Sequence, residues 1–114
     1  MPFLKIQTNQ SLDDTRRAAL LQQASQTVAR QLGKPESYVM VALEAERPML
    51  FAGSDAPLAY LELKSIGLPA AATATLSHSL CALMAEHLNL AQDRVYIEFA
   101  DAAPKMWGWN GATF

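Results

Sequence analysis

Apolar and polar positions nearly alternate from Phe3 to Thr8, which predicts a β-strand at the start of the chain. Apolar residues then recur at helical spacing as far as Leu32, so a helix is predicted there. Ser11 is its predicted N-cap, and Gly33 is predicted to close its C-terminal end. The side chains predicted to be buried along this helix are those of Leu20, Leu21, Ala24, Val28 and Leu32.

A second strand is predicted over residues 38–43, where nearly every side chain is apolar. Because both faces of this run are apolar, we expect it to be a central strand of a sheet. The segment 44–56 contains proline and glycine and predicts a connection with room for a short edge strand. The pattern then restarts, with a strand over 58–63, a turn over 65–67, a helix whose first turn holds Pro69, and a strand over 94–99.

The second half of the chain repeats the apolar positions of the first half at an offset of 56 residues. Leu20 matches Leu76, for example, and Val39 matches Val95. We therefore expect one domain over residues 1–114, made of two β-α-β pseudo-repeats at about 2–55 and 57–114. Right-handed crossovers then predict an α+β, two-layer fold, in which a four-stranded mixed sheet carries both helices on one face.

The predicted layout leaves the other face of the sheet without a cover. Since the strands are interpreted as apolar on both sides, we expect copies of the chain to associate through that face.

Composition narrows the possible functions. The formal net charge is −2 and the basic residues are scattered, so no electrostatic footprint for nucleic acid is present. No apolar run approaches the roughly 20 residues that span a bilayer. Cys81 is the only cysteine, so it cannot form an intrachain disulfide, and we interpret it as a small buried apolar side chain. We expect a cytoplasmic protein with no membrane association.

Three features are candidates for chemistry. Removal of Met1 would leave Pro2 with a free secondary amine, whose pKa burial or a nearby cation would lower toward neutrality. A strand that simply begins with proline is the competing interpretation. Lys34 either binds a substrate carboxylate or complements the dipole of the preceding helix.

The third feature is the tail, where Trp107, Trp109 and Phe114 lie close together around a predicted turn at Asn110-Gly111. These rings either line a pocket for a flat apolar ligand or pack on a neighbouring subunit. His78 and His87 lack metal-ligand spacing, and no metal site is predicted.

Six short motifs, taken in their order along the chain, resemble the macrophage migration inhibitory factor family. They are Met1-Pro2, Thr8-Asn9, Gly33-Lys34-Pro35 with Tyr38, Ser65-Ile66-Gly67, Asp93-Arg94-Val95-Tyr96-Ile97, and Gly108-Trp109-Asn110 with Thr113-Phe114. The resemblance implies a homotrimer with active sites between subunits. It also implies a keto-enol tautomerase that acts on phenylpyruvate-like or dopachrome-type substrates without a cofactor.

The resemblance also implies a role for each matched residue. Pro2 is the catalytic base, Lys34 holds the substrate carboxylate, and Ile66 supplies a backbone N–H and an apolar contact, with Ser65 beside it. Tyr96 comes from the neighbouring subunit. The aromatic positions around the mouth of the pocket are Tyr38, Trp109 and Phe114.

This chain departs from the family pattern at several positions. Glu98 replaces an asparagine and would raise the pKa of Pro2 if it faced the pocket ionised. Lys64 replaces a histidine near the pocket and is expected to offset that charge. Trp107 replaces a smaller valine, and the family's Cys-x-x-Cys motif is absent.

Two functions from different classes therefore stay open. The first is an enzyme that transfers a proton within an α-keto acid. The second is a cytokine-like signalling protein in which the pocket is inherited and little used. Because members of the family leave cells without an export signal, the resemblance also implies non-classical secretion and a host receptor.

Overall fold

The computed structural model describes every residue from Met1 to Phe114. A β-α-β order occurs twice along the chain and is followed by a small hairpin. The elements are β1 (Pro2–Thr8), α1 (Asp14–Leu32), β2 (Met40–Glu44), β3 (Ala59–Ile66), α2 (Thr73–Leu88), β4 (Val95–Ala102), β5 (Gly108–Trp109) and β6 (Ala112–Thr113).

The main sheet has the strand order β2-β1-β3-β4. Strands β1 and β2 are parallel, β3 and β4 are parallel, and the central pair β1 and β3 is antiparallel. The predicted mixed sheet with both helices on one face is thereby confirmed. The prediction that residues 38–43 form a central strand is wrong, because β1 and β3 pair with each other and leave β2 at an edge. Tyr38 lies before β2, in a short 3-10 turn at Glu36–Tyr38.

One face of the sheet packs against the helices to form the core. Alternate residues of β1 and β3, such as Leu4 and Leu61, are fully buried against α1 and α2. On the helices, the fully buried residues include Leu20, Ala24, Val28, Leu76, Leu80 and Met84. Leu21 and Leu32 are only half-buried. The predicted buried face of α1 is therefore correct for Leu20, Ala24 and Val28 and too wide by these two residues.

The opposite face of the sheet is polar at its centre, which corrects the expectation that the strands are apolar on both sides. The ammonium group of Lys5 lies 3.0 Å from a carboxylate oxygen of Glu62, and that of Lys64 lies 4.0 Å from the same atom. Exposed apolar side chains lie instead along the sheet edges and in the tail. The large ones are Tyr38, Met40, Leu50, Tyr96, Met106 and Trp109.

The helix ends follow local chemistry. Asp13, rather than Ser11, is the N-cap of α1, and its carboxylate accepts a hydrogen bond of 2.8 Å from the backbone N–H of Arg16. Gly33 closes α1 with a φ of 62°, as predicted. Pro69 precedes a 3-10 turn, after which α2 begins at Thr73. Neither helix combines the length and the apolarity that a membrane span requires.

Candidate active site

A cavity of about 380 Å³ opens where β1 begins. Pro2 is the first residue of β1, and the parallel strand β2 begins beside it, so the starts of both strands meet at this end of the sheet. The tail folds over the same end. The lining residues are Met1, Pro2, Phe3, Ser37, Tyr38, Val39, Met40, Trp107, Gly108, Trp109 and Phe114.

The tail and Tyr38 together form an aromatic wall, which we define as Tyr38, Trp107, Trp109 and Phe114. The rings of Trp109 and Phe114 stack with centroids 5.8 Å apart, and Tyr38 meets Trp109 edge-on at 6.1 Å. The predicted turn is confirmed, because Asn110 and Gly111 both have positive φ and join β5 to β6. The turn keeps Trp109 and Phe114 on one side of the cavity.

Lys34 lies beside the N-terminus. It follows the C-cap of α1, and its charge lowers the pKa of the Met1 α-amino group, although burial of that amine has the larger effect in the same direction. A β-carbon on Gly67 would lie 3.9 Å from the Lys34 nitrogen, so the end of β3 reaches the same place. Lys34 is not among the residues that line the cavity, and this position fits either interpretation of its role.

Ser65 and Ile66 belong to strand β3, not to the predicted turn, which starts at Gly67. Ser65 is the strand partner of Pro2 and is fully buried, with its hydroxyl donating to the carbonyl oxygen of Ile66 at 3.0 Å. The burial makes Ser65 a support for Pro2 rather than a group that a substrate can reach. Ile66 is half-buried next to the turn.

Tyr96 and Glu98 do not reach this cavity within one chain. Pro2 pairs with Ser65, which pairs with Asp101 of β4, so Tyr96 lies five residues away along that strand. At about 3.3 Å per residue this separation is about 16 Å. Both side chains project from the polar face of the sheet, since they alternate with β4 residues that pack on the core.

Glu98 has a different partner from the one predicted. The hydroxyl of Tyr60 donates to Glu98 at 3.2 Å, and it lies at the same distance from Glu62. Burial and these two acidic neighbours raise the pKa of Tyr60 to about 12. Lys64 contacts Glu62 instead of Glu98, so the expectation that Lys64 offsets the Glu98 charge is not met within one chain.

The sequence interpretation missed several residues of the site. Phe3 and Met40 both line the cavity, because they are partners in the parallel pairing of β1 and β2. The carboxylate of Asp101 accepts a hydrogen bond of 3.1 Å from the backbone N–H of Leu68 and so fixes the turn that carries Gly67 toward Lys34. Only the strand register could have revealed these contacts.

A larger groove, of about 570 Å³, lies between α1 and the open edge of β2. It is lined by charged residues such as Arg17, Glu44 and Arg47, and it contains none of the predicted site residues. No three His, Cys, Asp or Glu side chains of the chain are grouped closely enough to hold a metal ion. The cavity at the start of β1 is therefore the better candidate for chemistry.

Comparison with known proteins decides the family. The family model described as macrophage migration inhibitory factor (MIF) matches residues 1–114. The chain belongs to the MIF family. A MIF homologue of Brugia malayi is 40% identical over 116 residues, with 100% of this chain and 99% of that protein covered. The MIF of Meriones unguiculatus is 36% identical over 115 residues, with the same coverage.

Solved structures of the MIF family share the fold. The crystal structure of a MIF homologue from Prochlorococcus marinus superposes with a TM-score of 0.93 at 40% identity and covers 98% of each chain. The MIF of Toxoplasma gondii superposes with a TM-score of 0.92 at 32% identity, covering 98% of this chain and 99% of the other. The duplicated β-α-β arrangement is thus the MIF fold, and the cavity lies at the amino end of its first strand.

Proposed function

We propose that this MIF-family protein is a cofactor-independent keto-enol tautomerase that acts on phenylpyruvate-like α-keto acids. In this proposal Pro2 becomes the general base once Met1 has been removed. The observation that carries it is the position of Pro2, which starts β1 inside a cavity with an aromatic wall on one side and Lys34 beside the N-terminus.

The surroundings of the N-terminus suit a base. Burial and the positive charge of Lys34 lower the pKa of the Met1 amine below its ordinary value of 8.0. Removal of Met1 transfers the free amine to Pro2, which starts β1 in the same cavity, and in this proposal burial and Lys34 lower its pKa in the same direction. A lowered pKa increases the unprotonated fraction of the amine at physiological pH, and the unprotonated amine can accept a proton.

The reaction requires only proton transfer. The Pro2 nitrogen accepts a proton from the carbon beside the keto group, and the electron pair of that C–H bond forms the carbon–carbon double bond of the enol. Negative charge develops on the former carbonyl oxygen, which receives a proton as the enol forms. The protonated Pro2 returns to the amine when it gives up its proton, so no electron acceptor is needed.

The cavity wall and the lysine beside the N-terminus match two parts of the substrate. Lys34 provides a positive charge for the carboxylate, and the aromatic wall provides flat apolar faces for an aryl group. Phenylpyruvate carries both groups, and dopachrome-type compounds share a flat ring. Trp107 also lines the cavity and adds a further ring surface.

We further propose that three copies of the chain form a homotrimer with an active site at each interface. Two observations support this. Tyr96 and Glu98 lie far from the cavity of their own chain, and the outer edges of β2 and β4 pair with no other strand of the chain. The exposed apolar side chains of Met40, Leu50 and Tyr96 belong to these edges or to the loop beside them. Tyr96 would then complete the cavity of the neighbouring subunit.

Steady-state kinetics test the enzymatic proposal. Phenylpyruvate tautomerisation is followed spectrophotometrically for the wild type and for Pro2→Gly, with removal of Met1 verified in each sample by intact mass. Pro2→Gly keeps an N-terminal amine but replaces the ring-held secondary amine of proline with a flexible primary amine, so we expect a lower rate, by at most the roughly 10²–10⁴-fold that general-base catalysis contributes. Equal rates for the two proteins would exclude a requirement for the proline ring nitrogen.

A signalling role is the second candidate, and the observation that favours it is the similarity to vertebrate proteins named macrophage migration inhibitory factor. It requires the protein to leave the cytoplasm and to bind a host receptor. Binding of the labelled trimer to intact host cells, with Pro2→Gly as the matched variant, tests it. Saturable binding that Pro2→Gly retains would support a role independent of catalysis, and absence of binding would oppose it.

A further inference from the structure

Arg94 is the most extensively bonded side chain in the structure. It lies immediately before β4, and its guanidinium group donates hydrogen bonds to four backbone carbonyl oxygens of the loop between β2 and β3. The acceptors are those of Phe51 at 2.7 Å, Ala56 at 2.9 Å, Ser54 at 3.0 Å and Pro57 at 3.4 Å. We call residues 51–57 the clamped loop.

The same guanidinium group also contacts a ring. It lies over the face of Phe51, with 5.1 Å between the Arg94 Cζ atom and the ring centroid. Phe51 also pairs with Ser54 through a short antiparallel bridge. The backbone and the ring of Phe51 are therefore both held in place from the start of β4.

The ring of Phe51 packs against Tyr96. Their centroids are 4.5 Å apart and their planes are inclined by 42°. Phe51 contacts both Arg94, which ends the 3-10 turn before β4, and Tyr96, the second residue of β4. Tyr96 is 65% exposed, and the Phe51 ring is its one aromatic contact within the chain.

We propose that Arg94 and Phe51 are positioning residues for the reaction and that they act by holding Tyr96 in the orientation in which it completes the neighbouring subunit's cavity. This inference rests on the proposed function. An exposed tyrosine without a restraint populates several rotamers and must be ordered when substrate binds. The clamped loop restricts the Tyr96 ring before substrate binds. Preorganised sites hold their reacting groups in place in the same way.

The chemistry explains why arginine is used at this position. Its planar group offers five N–H donors in a fixed arrangement and can stack on a ring at the same time. Lysine has three donors on a flexible stem and cannot satisfy four carbonyl oxygens while covering Phe51. Arg94→Lys therefore keeps the charge and is expected to release the clamped loop.

A double-mutant cycle tests the proposal. Phe51→Leu keeps the apolar bulk of the side chain and removes the ring contact, and Tyr96→Ala removes the residue that is to be positioned. We expect Phe51→Leu to lower kcat/KM for phenylpyruvate by about tenfold, since a misplacement of about 1 Å can cost 10²-fold. We expect the same change to have almost no further effect in the Tyr96→Ala protein.

Melting temperature and molar mass are measured for each variant, because a purely structural role for Phe51 would lower kcat/KM equally in both backgrounds. That additive result would overturn the proposal, as would full activity of Phe51→Leu.

A second readout does not depend on turnover. The chain is labelled with 3-fluorotyrosine, and the ¹⁹F resonance of Tyr96 is assigned from Tyr96→Phe. We expect Phe51→Leu and Arg94→Lys to shift and narrow this resonance as the ring becomes mobile, and the resonances of Tyr38 and Tyr60 to stay in place. An unchanged Tyr96 resonance would refute the positioning role. A shift of the Tyr96 resonance in both variants, together with a wild type that does not tautomerise phenylpyruvate, would refute the proposed function and still support the positioning of the ring.

Discussion

Gly67 and Lys34, which belong to different halves of the chain, meet beside the N-terminus. Gly67 has a φ of 67°, and a β-carbon built on it would lie 3.9 Å from the Lys34 nitrogen. This is an ordinary contact distance, so the substitution of Gly67 is opposed mainly by its left-handed backbone and not by a collision. The methyl group would still lie against the ammonium group that we propose for substrate binding.

Gly67→Ala is therefore expected to lower the free energy of unfolding by about 1 kcal/mol, as strained positions of this kind do. It is also expected to raise KM for α-keto acids, because the new methyl group restricts access to Lys34. Gly53→Ala is the matched control for stability, since Gly53 has a φ of 73° and nothing within 4 Å. Chemical denaturation should give similar losses for both variants. An unchanged KM in Gly67→Ala would place Lys34 outside the substrate site.

The pH dependence of the reaction should respond to Lys34. The positive charge of Lys34 lowers the pKa of the N-terminal amine, second to burial, and the amine is a base only when it is unprotonated. We expect kcat/KM to rise with pH through a pKa below 8.0, the ordinary value of the amine. In Lys34→Gln this rise should move to higher pH, in addition to any loss of substrate affinity. A lower rate with an unmoved pH profile would contradict the electrostatic role.

Tyr60 should ionise only in strong base. Burial, the hydrogen bond to Glu98 and the charge of Glu62 raise the pKa of Tyr60 from 10.0 to about 12. Its contribution to stability is therefore complete below pH 10 and is lost as the pH rises toward 12. Glu98→Gln should bring the pKa of Tyr60 down, as measured by absorbance titration of the phenolate against Tyr60→Phe. Identical titrations of the wild type and Glu98→Gln would show that Glu98 does not interact with Tyr60.

The aromatic wall should discriminate among substrates by their ring. Trp109 stacks on Phe114 and meets Tyr38 edge-on, so Trp109→Ala removes the central ring of the wall. Aromatic pairs contribute about 0.5–1.5 kcal/mol beyond buried area, so KM for phenylpyruvate should rise about tenfold. KM for pyruvate, which has a carboxylate and no ring, should change little. Trp107→Val separates the contribution of the other tryptophan that lines the cavity. Equal increases for both substrates would indicate a general disturbance of the cavity.

The sequence predicted the helices, the four strands of the sheet and their mixed arrangement. These elements follow from apolar periodicity, and Gly33 and Asn110-Gly111 carry local signals strong enough to end or turn the chain. The N-cap was placed wrongly because Ser11 and Asp13 are both good caps, and only the geometry of the first turn distinguishes them. The position of β2 was wrong because an apolar strand at an edge has the same pattern as a central strand.

The site was only partly predictable. Pro2, Lys34 and the tail are far apart along the chain, so hydrophobic patterning alone does not predict that they share a site. That prediction came from the resemblance to the family. The contacts of Phe51 and Arg94 with Tyr96 leave no signal in the sequence, because they depend on where the loop between β2 and β3 folds back. The polar centre of the open sheet face was missed for a related reason, since it depends on which residues of neighbouring strands pair.

The central claim is that the amine of Pro2 removes the proton. It is tested most directly by comparing phenylpyruvate tautomerisation by two forms of the wild-type chain, one processed to Pro2 and one retaining Met1, each identified by intact mass. Apart from Met1 itself, the forms share every side chain that lines the cavity, and retention of Met1 moves the free amine by one residue, about 3.8 Å. We predict that the processed form is active and that the Met1 form is slower by at least about 10²-fold. Equal activity of the two forms would contradict the account.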